Sequence, residues 1–424
     1  MMIRLPYGRG CIEARVPDTA VVVSGRKAHP LPDPEGALLQ GLRAPTGCPP
    51  LARCVRPGMS VVIVHTDATR ATPNSMVLPV IVDELNRAGV PDSRITLLNA
   101  TGAHRAQTEG EMRALVGGPL FARVRCVQHD ACDAAAHAAC GATPGGNRVE
   151  LDRAYLDAQF RIVTGFIEPH FFAGYSGGPK AILPGIASLG SITANHAAHL
   201  VSHQDATWGV TEGNPVWEEM AAAARLAPPD FCVNVSLDPD ARVTGVFAGE
   251  LFAAHAAGCA FVREHAMAGV DEAFDVTIAT NSGYPLDQNL YQAVKGMSAA
   301  ARVTRPGGTI IIAAACEEGL PSHGNYAALL GRYPAARDAH AALGGLSDTM
   351  PDQWQALIHA RIAADFDVRI FTGGLDDASA SRAWLIRTPS VEKALADALD
   401  VMKGGRVGIL PDGPLVIPFL KPRN

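Results

Sequence analysis

Two histidines of this sequence stand where a predicted strand gives way to a loop, each beside small or rigid residues. His104 ends the segment TGAH, and His170 follows Glu168 and Pro169. The unperturbed pKa of histidine is about 6.5, which makes it the usual proton shuttle at neutral pH. Two such side chains at the strand ends of one sheet would face each other across a ligand. For His104 alone, a hydrogen-bonded loop histidine is the competing interpretation.

The tetrapeptide Asp67-Ala68-Thr69-Arg70 follows an apolar run and precedes a predicted helix. The planar guanidinium of Arg70 could bind a carboxylate or a phosphate. The N-terminus of the following helix would favour the same anion. A helix N-cap followed by a surface arginine explains these residues equally well, so the spacing alone leaves both interpretations open.

A glycine-rich turn, Gly177-Gly178-Pro179-Lys180, follows the second histidine. It is not a Walker A motif, because the proline interrupts it and neither serine nor threonine follows the lysine. A lysine held in such a turn is a candidate covalent anchor or Schiff-base former. A surface lysine on a flexible turn is the alternative.

His196, His199 and His203 are spaced at i, i+3 and i+7, which places them on one side of a predicted helix. Imidazole suits zinc, nickel, copper and iron. Histidines so spaced are more often polar-face residues, so at most one of them is expected to be a metal ligand.

Later in the chain, Tyr291, Gln292 and Lys295 lie in the predicted helix of the segment NLYQAVKG. Gln292 and Lys295 are three residues apart and therefore share a helix face. Their amide and ammonium groups suit a substrate carboxylate and hydroxyl. A solvated helix face is the simpler explanation of the same spacing.

The elements that would position these residues alternate between strand and helix. Near-continuous apolar runs such as MSVVIVHTD and FRIVTGFI predict strands buried on both faces, and amphipathic helices follow them. A second series of strands begins at DVTIATNSG. This pattern predicts an α/β fold with mainly parallel sheets, in which ligands lie outside the carboxyl ends of the strands. The segments DATR, TGAHR and EPH should then converge on one crevice, with the two opposed bases that a racemase needs.

The bulk composition excludes several classes of protein. The chain has 424 residues, which fits two or three domains, and its formal net charge of −6 favours neither nucleic acid nor an anionic membrane as a partner. The apolar runs are all shorter than the ~18 residues of a spanning helix, and the N-terminus does not resemble a signal peptide. The nine cysteines are scattered and without a CxxC pair. We therefore expect reduced thiols in a cytoplasmic protein.

Taken together, these motifs resemble the nickel-dependent lactate racemase family of hydroxyacid racemases and epimerases. The resemblance covers most of the chain, and the order and spacing of its motifs are more specific than any single one. The matching motifs are DATR at 67–70, GAHR at 102–105, EPHFFAGYSGGPK at 168–180, Asn195-His196 and YQAVKG at 291–296.

The resemblance implies two α/β domains with the active site in the cleft between them, and a nickel pincer nucleotide as the cofactor. This cofactor is a pyridinium-3,5-bisthiocarboxylic acid mononucleotide that chelates nickel. By the family pattern, Lys180 would hold it covalently and His196 would be the protein ligand of the nickel. The residues expected to support the cofactor are Asp67, Thr69, Gly177 and Gly178.

The resemblance also implies a mechanism. The C–H bond of a 2-hydroxy acid is very weakly acidic, so transfer of a hydride to the cofactor avoids a carbanion. His104 and His170 would be the general bases for the two enantiomers, and Arg70 would stabilise the oxygen that develops charge. The residues expected to hold the substrate carboxylate are Gln292 and Lys295, beside Tyr291.

The sequence therefore predicts a racemase or epimerase of a lactate-like 2-hydroxy acid. Residues 1–268 would form an N-terminal domain with the cofactor and the histidines, and residues 269–424 a C-terminal domain that binds substrate. Cofactor-maturation enzymes would be its partners. Two alternatives stay open: the same chemistry on a malate-like, aromatic or sugar acid, and a non-catalytic homologue that binds the cofactor.

Overall fold

The computed structural model describes residues 1–321, 324–346 and 348–422. The chain forms two compact units. We call Lys27–His196 with His203–Arg263 the central unit. We call Met1–Arg26 with Ala197–Ser202 and Glu264–Asn424 the terminal unit.

The strands are short and are distributed along the whole chain. In chain order they are β1 Met2–Tyr7, β2 Gly10–Arg15, β3 Val21–Val22, β4 Val61–Thr66, β5 Ile95–Ala100, β6 Arg125–Gln128, β7 His137–Ala142, β8 Arg148–Asp152, β9 Phe160–Phe166, β10 Pro169–His170, β11 Gly174–Tyr175, β12 Phe231–Leu237, β13 Val243–Gly249, β14 Met267–Val270, β15 Phe274–Thr280, β16 Thr304–Ala313, β17 Asp367–Phe371, β18 Ile386–Arg387, β19 Val407–Leu410 and β20 Ile417–Leu420.

Helices connect most of these strands. They are α1 Pro34–Arg43, α2 Leu51–Cys54, α3 Asn74–Arg87, α4 Glu109–Val116, α5 Gly118–Phe121, α6 Arg153–Leu156, α7 Leu189–Asn195, α8 Ala198–Val201, α9 Pro215–Leu226, α10 Leu251–Ala266, α11 Leu290–Ala301, α12 Tyr326–Leu330, α13 Ala336–Gly344, α14 Gln353–Asp365, α15 Asp377–Arg382 and α16 Val391–Met402. Short 3-10 helices lie at Asp92–Arg94, Ala134–Ala136, Gly178–Ala181 and Gly413–Leu415.

The central unit is built on a sheet with the strand order β13-β12-β9-β4-β5-β6. All neighbours in it pair in parallel except the edge strand β13. Alternate strand residues, including Ile63, Leu97 and Ile162, share one core with apolar residues of α1, α3 and α4. The predicted α/β fold with mainly parallel sheets is confirmed.

The terminal unit has its own parallel sheet, in the order β18-β17-β16-β15-β19-β3. The N-terminal lead, residues 1–26, belongs to this unit because β3 pairs with β19 and because Leu5, Ala14 and Val16 are buried in the core of this sheet. The predicted division assigned this lead to the domain of residues 1–268. The predicted boundary after residue 268 falls inside β14.

In the part of the chain that the structure describes, every helix falls short of the length and apolar character needed to cross a membrane.

Candidate active site

Three neighbouring strands of the central sheet lead into the three predicted site segments. Strand β4 precedes residues 67–70, β5 precedes residues 101–105 and β9 precedes residues 168–170. Because β4 pairs in parallel with both β5 and β9, the three segments emerge at the same edge of the sheet. Two side-chain contacts, one from His104 to Asp67 and one from Arg70 to Glu168, hold these segments together.

The first contact joins His104 to Asp67. The Nδ1 atom of His104 lies 2.8 Å from Oδ2 of Asp67, and the Thr69 hydroxyl donates to Oδ1 of the same carboxylate over 2.7 Å. Burial raises the pKa of Asp67, but the charge and hydrogen bond of His104, with the Thr69 hydroxyl, bring it below its ordinary value. An ionised carboxylate accepts a hydrogen bond from the N–H at Nδ1. The lone pair of the neutral ring is then on Nε2, which is the nitrogen that can accept a proton. The side chain of His104 is 31% exposed, whereas that of Asp67 is 3% exposed.

The second contact is a partly buried ion pair between Arg70 and Glu168. The Nη1 atom of Arg70 donates to Oε1 of Glu168 over 3.1 Å, and the two side chains are 17% and 7% exposed. Ser176 fixes the backbone of Glu168, because its hydroxyl accepts from the Glu168 N–H and its own N–H donates to the Glu168 carbonyl. The sequence reasoning missed Glu168 as a site residue. The available signal was a carboxylate in a buried EPH segment, which requires a cationic partner.

His170 lies in a tight antiparallel hairpin formed by β10 and β11. Its side chain is buried, and the N–H of Ala173 donates to its Nδ1 atom over 3.2 Å. The neutral ring therefore carries its proton on Nε2. The ring of Phe172 lies edge-on to His170, with centroids 4.6 Å apart, and also edge-on to His196, with centroids 5.4 Å apart. Phe172 thus joins two of the predicted site residues.

His196 stands directly after the last residue of α7. Its Nδ1 atom donates to the carbonyl of Ile192 over 2.9 Å, which leaves the lone pair of the neutral ring on Nε2. Burial lowers the pKa of His196 to about 3, and the nearby charge of Lys180 contributes to the shift. A neutral imidazole oriented by a backbone carbonyl is the usual state of a metal-ligating histidine.

The prediction that His196, His199 and His203 share one helix face is wrong. Helix α7 ends at Asn195, and α8 spans Ala198–Val201. His196 is the residue that follows α7, and both its backbone N–H and its Nδ1 atom donate to the Ile192 carbonyl. His203 lies beyond α8, exposed beside Asp205.

The Gly177-Gly178 turn requires glycine at both positions. Their φ angles are +72° and +52°, a region that favours glycine. A side chain at Gly178 would also overlap the ring of His255, and the Gly178 N–H donates to Oδ1 of Asn234 over 3.2 Å. Lys180 follows in the 3-10 helix that begins at Gly178, and it is partly buried. The turn is therefore a packed structure rather than a flexible surface loop.

The remaining predicted residues lie on α11 of the terminal unit. The Nζ atom of Lys295 donates to Oε1 of Gln292 over 2.7 Å, and both side chains are buried, so this is not a solvated helix face. The hydroxyl of Tyr291 accepts from Nε1 of Trp354 over 3.1 Å, and its ring packs edge-on against Tyr326. Tyr291 is thus part of an aromatic cluster.

Comparison with known proteins places this chain in a family. Residues 7–209 match the model of the lactate racemase N-terminal domain, and residues 270–417 match that of the lactate racemase C-terminal domain. The chain belongs to the lactate racemase family. It is an isomerase.

Individual members of the lactate racemase family resemble the chain over nearly its whole length. The lactate racemase of Thermoanaerobacterium thermosaccharolyticum is 34% identical over 425 residues, which cover 98% of each protein. That of Lactiplantibacillus plantarum is 36% identical over 428 residues, or 98% of this chain and 99% of the relative.

Solved structures agree with this membership. The lactate racemase apoprotein of T. thermosaccharolyticum superposes with a TM-score of 0.92 at 33% identity, over 99% of this chain and 100% of that one. A protein from Thermotoga maritima has a TM-score of 0.73 at 19% identity, over 91% of this chain and 98% of that one. The second likeness concerns the fold alone.

Proposed function

We propose that this protein racemises lactate or a closely related 2-hydroxy acid, with His104 and His170 moving the hydroxyl proton. The observation that carries the proposal is the 2.8 Å hydrogen bond between Nδ1 of His104 and the buried carboxylate of Asp67. A buried aspartate orients the imidazole, leaves Nε2 as the accepting nitrogen and stabilises the imidazolium that forms when a proton is taken up.

Arg70 and the residues on α11 would bind the rest of the substrate. The guanidinium of Arg70, oriented by Glu168, would hydrogen-bond to the substrate oxygen as negative charge develops on it. Gln292 and Lys295 offer a buried amide and ammonium, which suit the carboxylate of a 2-hydroxy acid.

The family implies a cofactor, and the residues of this chain fit the nickel pincer nucleotide. Such a group needs an amine for covalent attachment and a neutral imidazole for the metal. Lys180 supplies the amine close enough to His196 to affect its pKa, and His196 has its lone pair on Nε2. Lys180 would hold the cofactor, and Nε2 of His196 would ligate the nickel. When bound, the cofactor would supply a reversible hydride acceptor.

A protein that only binds or carries the cofactor would need Lys180 and His196 but not an oriented proton acceptor. The pairing of His104 with Asp67 therefore favours catalysis over a carrier role. The loops around the site set the preference among 2-hydroxy acids. We propose lactate and acids of similar size as the substrates.

The test uses protein co-expressed with the cofactor-making enzymes and a chiral assay of lactate, malate and aromatic 2-hydroxy acids. We expect lactate to racemise, and in D₂O the product should carry no deuterium at C2, because a transferred hydride does not exchange with solvent. The matched control is Lys180→Ala, which should show neither covalent adduct by mass spectrometry nor activity. Fully loaded protein that racemises no acid in the panel would refute the proposal.

A further inference from the structure

A buried histidine outside the proposed site lies at the carboxyl end of β6. The side chain of His129 is 0% exposed. Its Nδ1 atom lies 3.2 Å from Oδ2 of Asp152, and its Nε2 atom lies 3.0 Å from the carbonyl oxygen of Ala187. Both ring nitrogens therefore have a partner at hydrogen-bond distance.

The chemistry of these two partners determines how many protons the ring of His129 carries. A peptide carbonyl only accepts hydrogen bonds, and so does an ionised carboxylate. The other oxygen of Asp152 accepts from the N–H of Ala154 and caps α6, as a carboxylate does. With Asp152 ionised, His129 makes both of its bonds only with a proton on each nitrogen. Asp152 then balances the charge of the imidazolium in a site closed to water.

The backbone of His129 is bonded to the loop that carries His104. Its N–H donates to the carbonyl of Asn99 over 3.1 Å, and its carbonyl accepts from the Thr101 hydroxyl over 2.8 Å. The carbonyl of Thr101 in turn accepts from the N–H of His104 over 3.0 Å. A displacement of His129 would thus move the loop of His104.

The side chain of His129 reaches the segment that joins Lys180 to His196. Ala187 lies in this segment just before α7, and it forms a bridge with Leu151 of β8. The same segment contacts the His104 loop directly, because the N–H of Gly102 donates to the carbonyl of Gly185 over 3.0 Å. His129 therefore contacts both the loop of His104 and the segment between Lys180 and His196.

We propose that His129, as an imidazolium, is a positioning residue that fixes the His104 loop against the segment between Lys180 and His196. The proposal rests on the roles given above to those three residues. Two titratable side chains face His129 among the described residues: Asp152, and His137 of β7, whose ring is edge-on with centroids 5.1 Å apart. Its other partners are backbone groups and the Thr101 hydroxyl.

Two substitutions separate the two bonds. In His129→Gln the amide nitrogen replaces Nε2 and can still donate to Ala187, whereas in His129→Asn it replaces Nδ1 and can donate only to Asp152. We expect about a tenfold loss of kcat in the loaded H129N variant, and recovery of most of that loss in H129Q, because one net hydrogen bond corresponds to roughly a tenfold effect. Both variants should carry the same amount of adduct on Lys180.

A second readout does not depend on the proposed function. Amide hydrogen exchange at Gly102, measured on the protein before cofactor loading, should be about tenfold faster in H129N than in H129Q. Nitrogen-15 spectra of selectively labelled wild-type protein should show both ring nitrogens of His129 protonated at the pH of the assay. Equal Gly102 exchange in the two variants, or one unprotonated nitrogen, would overturn the inference. Absence of racemase activity in the loaded wild-type protein would refute the proposed function but not this inference.

Discussion

Replacement of Asp67 by asparagine should remove most of the activity without removing the cofactor. The carboxylate is 3% exposed and accepts from Nδ1 of His104 at 2.8 Å. Two unit charges about 4 Å apart interact by about 4 kcal/mol at an effective dielectric of about 20, and a hydrogen bond to a charged group contributes about 1.5–3 kcal/mol. The imidazolium of His104 loses that stabilisation in D67N. We therefore expect kcat to fall by about 10²- to 10³-fold, since each ~1.4 kcal/mol is a factor of ten.

The assay is the interconversion of lactate enantiomers, followed by chiral chromatography at saturating substrate. Adduct on Lys180 is measured in parallel by mass spectrometry. The matched control is Asp205→Asn, because Asp205 also stands beside a histidine, His203, but at 3.8 Å and with both side chains 46% exposed. We expect D205N to behave like the wild type. A fully loaded D67N variant that keeps kcat within about tenfold of wild type would refute the orienting role of Asp67.

Two further predictions concern charge. Glu168→Gln removes the negative partner of Arg70, so kcat should fall about tenfold at unchanged cofactor load; equal kcat would show that Arg70 does not depend on this pair. Burial lowers the pKa of His65 and of His255 to about 4, so the unfolded chain binds more protons than the folded one between about pH 6.5 and 4. The free energy of unfolding, measured by urea titration, should fall as pH is lowered through that window, by about 3 kcal/mol per histidine. His65→Gln should flatten this dependence, and an unaltered slope would contradict the assignment.

The arrangement of the site follows from sequence where parallel-sheet geometry applies. The segments at residues 67–70, 101–105 and 168–170 each follow a buried apolar run, and parallel pairing brings their ends to one edge. Sheet geometry does not predict which side chain each of these residues contacts. Arg70 and Glu168 are 98 residues apart in sequence, and their ion pair depends on the hairpin of β10 and β11, whose strands have two residues each. Strands of that length leave no periodic signal.

Two other features lay beyond sequence reasoning for similar reasons. The spacing of His196, His199 and His203 fits one helix, but periodicity does not reveal that α7 ends at Asn195 and that a separate helix, α8, begins at Ala198. The N-terminal lead joins the terminal sheet through β3, a strand of only two residues. The pairing of β3 with β19 is a tertiary contact, which no local sequence preference reveals.

The two histidines proposed as bases are not equivalent in this structure. The carboxylate of Asp67 leaves His104 with a proton on Nδ1 and a lone pair on Nε2, whereas the N–H of Ala173 leaves neutral His170 with a proton on Nε2. To accept a proton at Nε2, His170 must first place its own proton on Nδ1 and give up the Ala173 bond, at a cost of about 1 kcal/mol. His104 is therefore the readier acceptor, and His170 is better arranged to donate a hydrogen bond to the substrate oxygen. Because a racemisation has an equilibrium constant of one, this inequality cannot favour one product at equilibrium, and it acts only on the rates of the individual steps.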